Sequence, residues 1–290
     1  MSTISQQLKE DAEALAKGIE TLLGPDRKLR DVNVGGSVVL VGASYAFGDL
    51  PLESQRLRSK LLVDLDHLFD VAAVLLARQA ASVRKHLDQD RNDVHDIVAQ
   101  THLTWHSTTG KALESVRMAL DRTISAIQQL HDPLDGGCLL VPDTNALIAV
   151  PVLTDWALSD GKQFEIVFVP TVLAELDTLK VEHRNPDVRD KAKKVINQLK
   201  ELRRRGNLSN GVPLVSQRSG ARTLAVEPDF TTSLPWLDPS IPDDRMLASA
   251  IEVIRHFPRS AVLLVTGDIN LQNKADFARM PLLDVEDVTG

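Results

Sequence analysis

Apolar positions in the first 130 residues recur at helical intervals. From Ile4 to Leu23, the residues Leu8, Ala12, Leu15, Ile19, Leu22 and Leu23 fall three or four apart, which puts them on one face of an amphipathic helix. The stretch 31–50, DVNVGGSVVLVGASYAFGDL, is glycine-rich with a short β-branched run and predicts a strand pair or an ordered loop. After Pro51 a long helical pattern passes through Leu57, Leu61, Leu65, Leu68, Ala72 and Leu75 to about position 86. A second helical pattern spans about 94–105 and a third 113–130. Together they predict a small helical bundle with an irregular early insert.

The pattern changes after HDPLDGG (131–137), a cluster of helix breakers taken as a domain boundary. Short apolar runs then alternate with helical patterns. The strand candidates are CLLVP (138–142), FEIVFVP (164–170), AVLLVTGD (261–268), the weaker RTLAVEP (222–228) and a terminal LLDV (282–285). Such alternation predicts an α/β domain with a mainly parallel sheet over 133–290, preceded by a mostly α-helical region over 1–132.

Composition narrows the picture. At 290 residues either part can bury a core, and 43% hydrophobic with 25% charged residues is ordinary for a globular protein. The single cysteine, Cys138, excludes an intramolecular disulfide framework and fits a reducing compartment. No basic N-terminal stretch leads into an apolar segment, and no apolar run reaches membrane-spanning length. The expectation is a soluble cytoplasmic protein. A net charge of −7 argues against coating nucleic acid by bulk electrostatics, but it leaves room for a nucleic-acid enzyme whose acidic site is neutralised by cations.

Ligands of an open parallel sheet bind beyond the carboxyl ends of its strands, and several acids are expected there. CLLVP delivers Asp143, the helix TVLAELDTL after FEIVFVP carries Glu175, and AVLLVTG delivers Asp268. In IPDDRMLASAIEVI a helix starts at Pro242–Asp243, which places Asp244 in its first turn. Any one of these could be a helix cap or a dipole partner. Carboxylates from four elements gathered at one sheet edge would repel one another unless cations lie between them. All-oxygen ligands favour Mg²⁺ or Mn²⁺ over zinc, and acidic sites of this kind hydrolyse phosphodiesters. Asp177 lies about 200° round the helix from Glu175 and cannot share its face.

Read in order, VPDTNALI, PTVLAELDTL, PDDRMLASA and VTGDINLQNKA resemble the acidic motifs of PIN-domain nucleases across roughly 137–288. The closest match is to the larger PIN domains with a helix–helix insertion after the second motif. The resemblance implies a PIN-like three-layer α/β/α domain that cuts single-stranded or structured RNA using Mg²⁺ or Mn²⁺; whether single-stranded DNA is also a substrate stays open. It implies Asp143, Glu175, Asp244 and Asp268 as the catalytic, metal-binding quartet and Asn145 and Thr266 as polar supports. Asp243 competes with Asp244 and is assigned the N-cap, because DRMLASA reproduces the family's spacing from Asp244. Asn270 and Asn273 are expected either to support Asp268 or to be exposed on its helix.

Substrate contacts are expected from DVRDKAKKVINQLKELRRRG (187–206), an apolar stripe carrying Arg189, Lys193, Lys194, Lys200 and Arg203 over its remaining surface, and from Arg218 and Arg222 in SQRSGARTLAVEP. Two other functions stay open. A haloacid-dehalogenase-like phosphatase also ends strands on acids, but it needs a second Asp where this chain has Asn145. The other is a catalytically inactive RNA-binding or scaffold module. The helical region 1–132 is expected to build a homo-oligomer, take an inhibitory protein partner or restrict access to the site.

Overall fold

The computed structural model describes residues 3–24, 27, 29–32, 45–134, 137–215 and 218–289. The chain forms two compact units, Ser5–Gln129 and Leu130–Gly290, the latter with the first four residues.

In the first unit, helix α1 (Ile4–Leu23) buries the predicted stripe, with Leu8 and Ile19 fully enclosed. Two short strands, β1 (Arg30–Asp31) and β2 (Tyr45–Ala46), pair antiparallel, and most of the expected strand pair over 31–50 lies outside the described residues. The long helical pattern after Pro51 is two helices, α2 (Leu52–Leu76) and α3 (Ala81–Ala99), so the expected single helix to about 86 is corrected. No breaker marks the turn at 77–80. It follows from tertiary packing, since Leu87, Val94, Ile97 and Val98 of α3 are buried and Arg91 pairs with Asp66 and Asp70 of α2. The helix expected over 94–105 ends instead at Ala99, where Gln100 takes a left-handed conformation (φ 56°) that glycine usually announces. Helix α4 (Thr109–His131) then buries Ala112, Val116, Ala119, Leu120 and Ile127.

The second unit runs β3 (Cys138–Pro142), α5 (Thr144–Ala149), β4 (Phe164–Phe168), α6 (Pro170–Glu182), α7 (Pro186–Arg205), β5 (Val212–Val215), β6 (Ser219–Thr223), α8 (Pro242–His256), β7 (Ala261–Val265), α9 (Ile269–Phe277) and β8 (Leu282–Leu283). Its six-stranded sheet has the order β5-β6-β4-β3-β7-β8 and is parallel except for β5. Every residue of β3 is buried, as expected of a central parallel strand covered on both faces. Strand β5 was not anticipated. It carries Pro213 and sits at the sheet edge, where a missing N–H is tolerated. Strand β6 begins three residues before the expected RTLAVEP.

From β3 the chain builds outward through β4 and β6, then returns to lay β7 and β8 on the other side of β3. The β3–β7 boundary is therefore the switch point of the sheet, where a crevice opens beyond the strand ends. The Asp143 N–H bonds the Val265 carbonyl at 3.0 Å and ties those two ends together.

Helix α8 is buried along most of its length and carries an enclosed ion pair, with Arg255 Nη1 2.6 Å from Glu252 Oε1 and both side chains almost fully buried. Arg255→Met is expected to cost about 3–5 kcal/mol in urea denaturation, because it leaves a buried carboxylate without its guanidinium. The double variant Glu252→Gln/Arg255→Met is expected to recover much of that loss. A single variant as stable as wild type would refute a stabilising role for the pair.

Candidate active site

A cleft of about 590 Å³ opens beyond the carboxyl ends of β3, β4 and β7. Asp143, Glu175, Asp243 and Asp268 line it, with Glu227 from the segment after β6.

Asp143 sits at the bottom. It caps α5, its Oδ1 accepting the Ala146 N–H at 2.6 Å, and its Oδ2 accepts the Thr266 hydroxyl proton at 2.6 Å. Thr266 is fully buried, and its oxygen in turn accepts the Asp268 N–H at 2.9 Å. One hydroxyl thus bridges the acids that follow β3 and β7. Asp268 caps α9 through the Asn270 N–H at 2.8 Å. Glu175, on the second turn of α6, accepts the Thr144 hydroxyl at 2.5 Å. Helix α6 is fixed against α8 by a buried 3.0 Å hydrogen bond between Thr171 and Ser249. Burial raises the Asp143 pKa, the Thr266 and Ala146 donors oppose that rise, and the charges of Asp268 and Glu175 add to it.

The pair that opens α8 divides. Asp243 lines the cleft, whereas Asp244 is 2% exposed and does not line it. Asp244 Oδ1 accepts from Lys274 Nζ at 2.6 Å and its Oδ2 from the Asp238 N–H at 2.9 Å. Asp243 is not the helix cap. Ile241 holds that position, with Pro242 at the first helical residue. Of the other expected supports, Asn145 lines the cleft, while Asn273 is exposed on α9 and does not.

The cationic candidates are dispersed. Arg218 and Arg222 line a separate pocket with Cys138, Phe164 and Ser219, the residues that begin β3, β4 and β6; Arg222 itself is next to last in β6, opposite Val167, and its guanidinium turns back from the cleft toward that pocket. Arg222 pairs with Glu165 and lies 4.7 Å over the Phe257 ring. On α7, Arg189 donates to the His183 and Arg184 carbonyls and Lys193 pairs with Asp190, while Lys194, Lys200 and Arg203 are exposed. Helix α7 packs alongside α6.

The family model of the PIN domain matches residues 140–286, about half of the chain. The chain belongs to the PIN-domain family. No curated protein sequence matches it significantly. PIN domains are generally nucleases and usually use divalent metal ions. The donor set in this PIN domain fits such an ion, because the acids lining the cleft offer only oxygen and neither His nor Cys lines it. Among the described residues no three His, Cys, Asp or Glu side chains stand grouped to hold an ion as they are turned. Each acid rests instead on a local donor: Asp143 on Thr266, Glu175 on Thr144 and Asp268 on Asn270. No helix among the described residues is long and apolar enough to cross a membrane.

Sequence reasoning did not pick out Thr144, Glu227, Arg245 or Lys274. Thr144 and Lys274 sit inside quoted motifs, but their partners are 31 and 30 residues away. Glu227 follows the strand that was misplaced by three residues.

The raised Asp143 pKa has a thermodynamic consequence. Between the ordinary carboxyl range and its folded value, the folded state holds more protons than the unfolded state, so metal-free stability falls as pH rises through that window. In chelator, the Tm of Asp143→Asn relative to wild type is therefore expected to rise as pH goes from below the ordinary Asp range to neutrality, on top of a pH-independent loss from the one acceptor oxygen that Asn lacks. Tm against pH for both proteins checks this, and a variant less stable at neutral pH than at acid pH relative to wild type would contradict it.

Proposed function

We propose that the cleft is the active site of a metal-dependent endoribonuclease, with single-stranded DNA as a second substrate class. The observation that carries this is the gathering of Asp143, Glu175, Asp243 and Asp268 from separate elements into one cleft at the switch point of the sheet. When bound there, Mg²⁺ or Mn²⁺ would supply a polarised water and offset the charge that builds on the phosphoryl oxygens in the transition state.

Asp143 and Asp268, at adjacent strand ends kept in register by the Thr266 hydroxyl, would hold the ion. Glu175, oriented by Thr144, faces them from α6 and positions the attacking water. Asp243, and not Asp244, forms the acidic wall on the α8 side, because Asp243 lines the cleft and Asp244 is engaged beneath it. Arg245, also lining the cleft, is placed to meet a phosphate oxygen that carboxylates alone would repel. The exposed Lys194, Lys200 and Arg203 of α7 extend the attraction along the substrate backbone. No covalent protein nucleophile is required.

Challenging purified protein with mixed RNA and single-stranded DNA pools tests the reading. Cleavage is expected with Mn²⁺, none with chelator, and a loss of at least about 100-fold in Asp143→Asn with nucleic-acid binding retained. Equal cleavage by the variant, or turnover of a small phosphomonoester without cleavage of nucleic acid, would overturn it. Reversing Lys194, Lys200 and Arg203 to Glu together is expected to weaken binding about tenfold or more and to flatten its salt dependence, read as the slope of log Kd against log salt. An unchanged slope would remove α7 from the substrate path.

A further inference from the structure

The acids at the cleft fall into two electrostatic groups. Asp143, Glu175 and Asp268 line the cleft together, and each rests on neutral donors: a hydroxyl, a backbone N–H or both. Asp243 and Asp244 instead share an ammonium group, Lys274 Nζ, at 3.6 and 2.6 Å. The Asp244 carboxylate has both oxygens engaged and is nearly inaccessible, a state that is costly for a charged group unless a cation accompanies it. The cation comes from α9, one and a half turns after Asp268, so the helix that carries one cleft acid also neutralises the pair on the facing helix.

We propose that Lys274 is a built-in counter-cation for this wall of the cleft: it neutralises Asp244, holds Asp243 in position, and limits the site to one divalent ion drawn by Asp143, Glu175 and Asp268. The inference rests on the nuclease reading. A second dication beside Asp243 would have to sit within a few ångströms of a fixed ammonium, where like charges repel strongly in a partly buried setting. Lys274 is on this view a positioning residue, and its signature is the number of ions bound.

The test is Mn²⁺ titration by calorimetry together with Tm in chelator, on the full chain and on Lys274→Met, Lys274→Arg and Asp244→Asn/Lys274→Met. Wild type is expected to bind one Mn²⁺ per chain. Lys274→Met is expected to bind two and to lose roughly 5 °C of Tm in chelator. Lys274→Arg is expected to behave as wild type, and the double variant to return to one ion and regain most of the Tm. Should Lys274→Met unfold in chelator, Mn²⁺ is expected to restore it, and failure to do so overturns the proposal. Two ions in cleaving wild type, or one ion in folded Lys274→Met, overturns this inference alone. No Mn²⁺ bound by wild type overturns the nuclease reading and the single-ion assignment together.

Discussion

A hydroxyl group has one proton to give, and that of Thr266 goes to Asp143. Its oxygen is then left to accept the N–H of Asp268, so one buried side chain fixes the relation between the acids at the ends of two neighbouring strands. The arrangement depends on β3 and β7 being adjacent and parallel, in register from Cys138 opposite Ala261 to Pro142 opposite Val265. A slip of one residue along either strand would turn the acid out of the crevice and bury an apolar neighbour's place with charge. The continuous burial of β3 opposes such a slip, since every residue in it is committed to the core. The position of the site therefore follows from the packing of the sheet, and the local donors only refine it.

Much of this was legible in the chain because the signals were local. The apolar runs of β3, β4 and β7 were found where they stand, since a central parallel strand needs no partner to be recognised by its hydrophobicity. Helix α1 and the stripe of α7, with Ala192, Val195, Leu199 and Leu202 buried, were equally plain. The misreadings fall where tertiary contact overrides local preference. The turn between α2 and α3 has no Gly or Pro, and α3 ends on a left-handed glutamine. Strand β5, with its proline, exists only because β6 offers it an edge.

The acids of the cleft show the same division. That Asp143, Glu175 and Asp268 would line one cleft could be argued from two strand ends and the helix that follows β4. Which of Asp243 and Asp244 faces the opening could not, because adjacent residues on a helix differ by about 100° and the first turn can be set either way. The orientation is settled by Lys274, whose ammonium lies beneath Asp244, and by the Asp238 N–H on its other oxygen. Motif spacing favoured Asp244, whereas the ion pair assigns it to the interior.

Carboxylates and exposed cations occupy different surfaces of the second unit. The chain carries a net −7 and concentrates carboxylates at the cleft, so a phosphate polymer approaching that opening meets repulsion unless positive charge lies nearby. Arg222 cannot supply it, being held by Glu165 and Phe257 and turned back from the cleft. Lys274 cannot either, since its ammonium is spent on Asp244 and Asp243. Among the described residues, cations placed near that opening include Arg245, which lines the cleft and also donates to the Pro239 carbonyl at 3.2 Å, and the exposed cations of α7, the helix that packs on α6. Within the cleft itself exposure falls inward, from Glu175 on α6 to Asp143, which is buried at the end of β3.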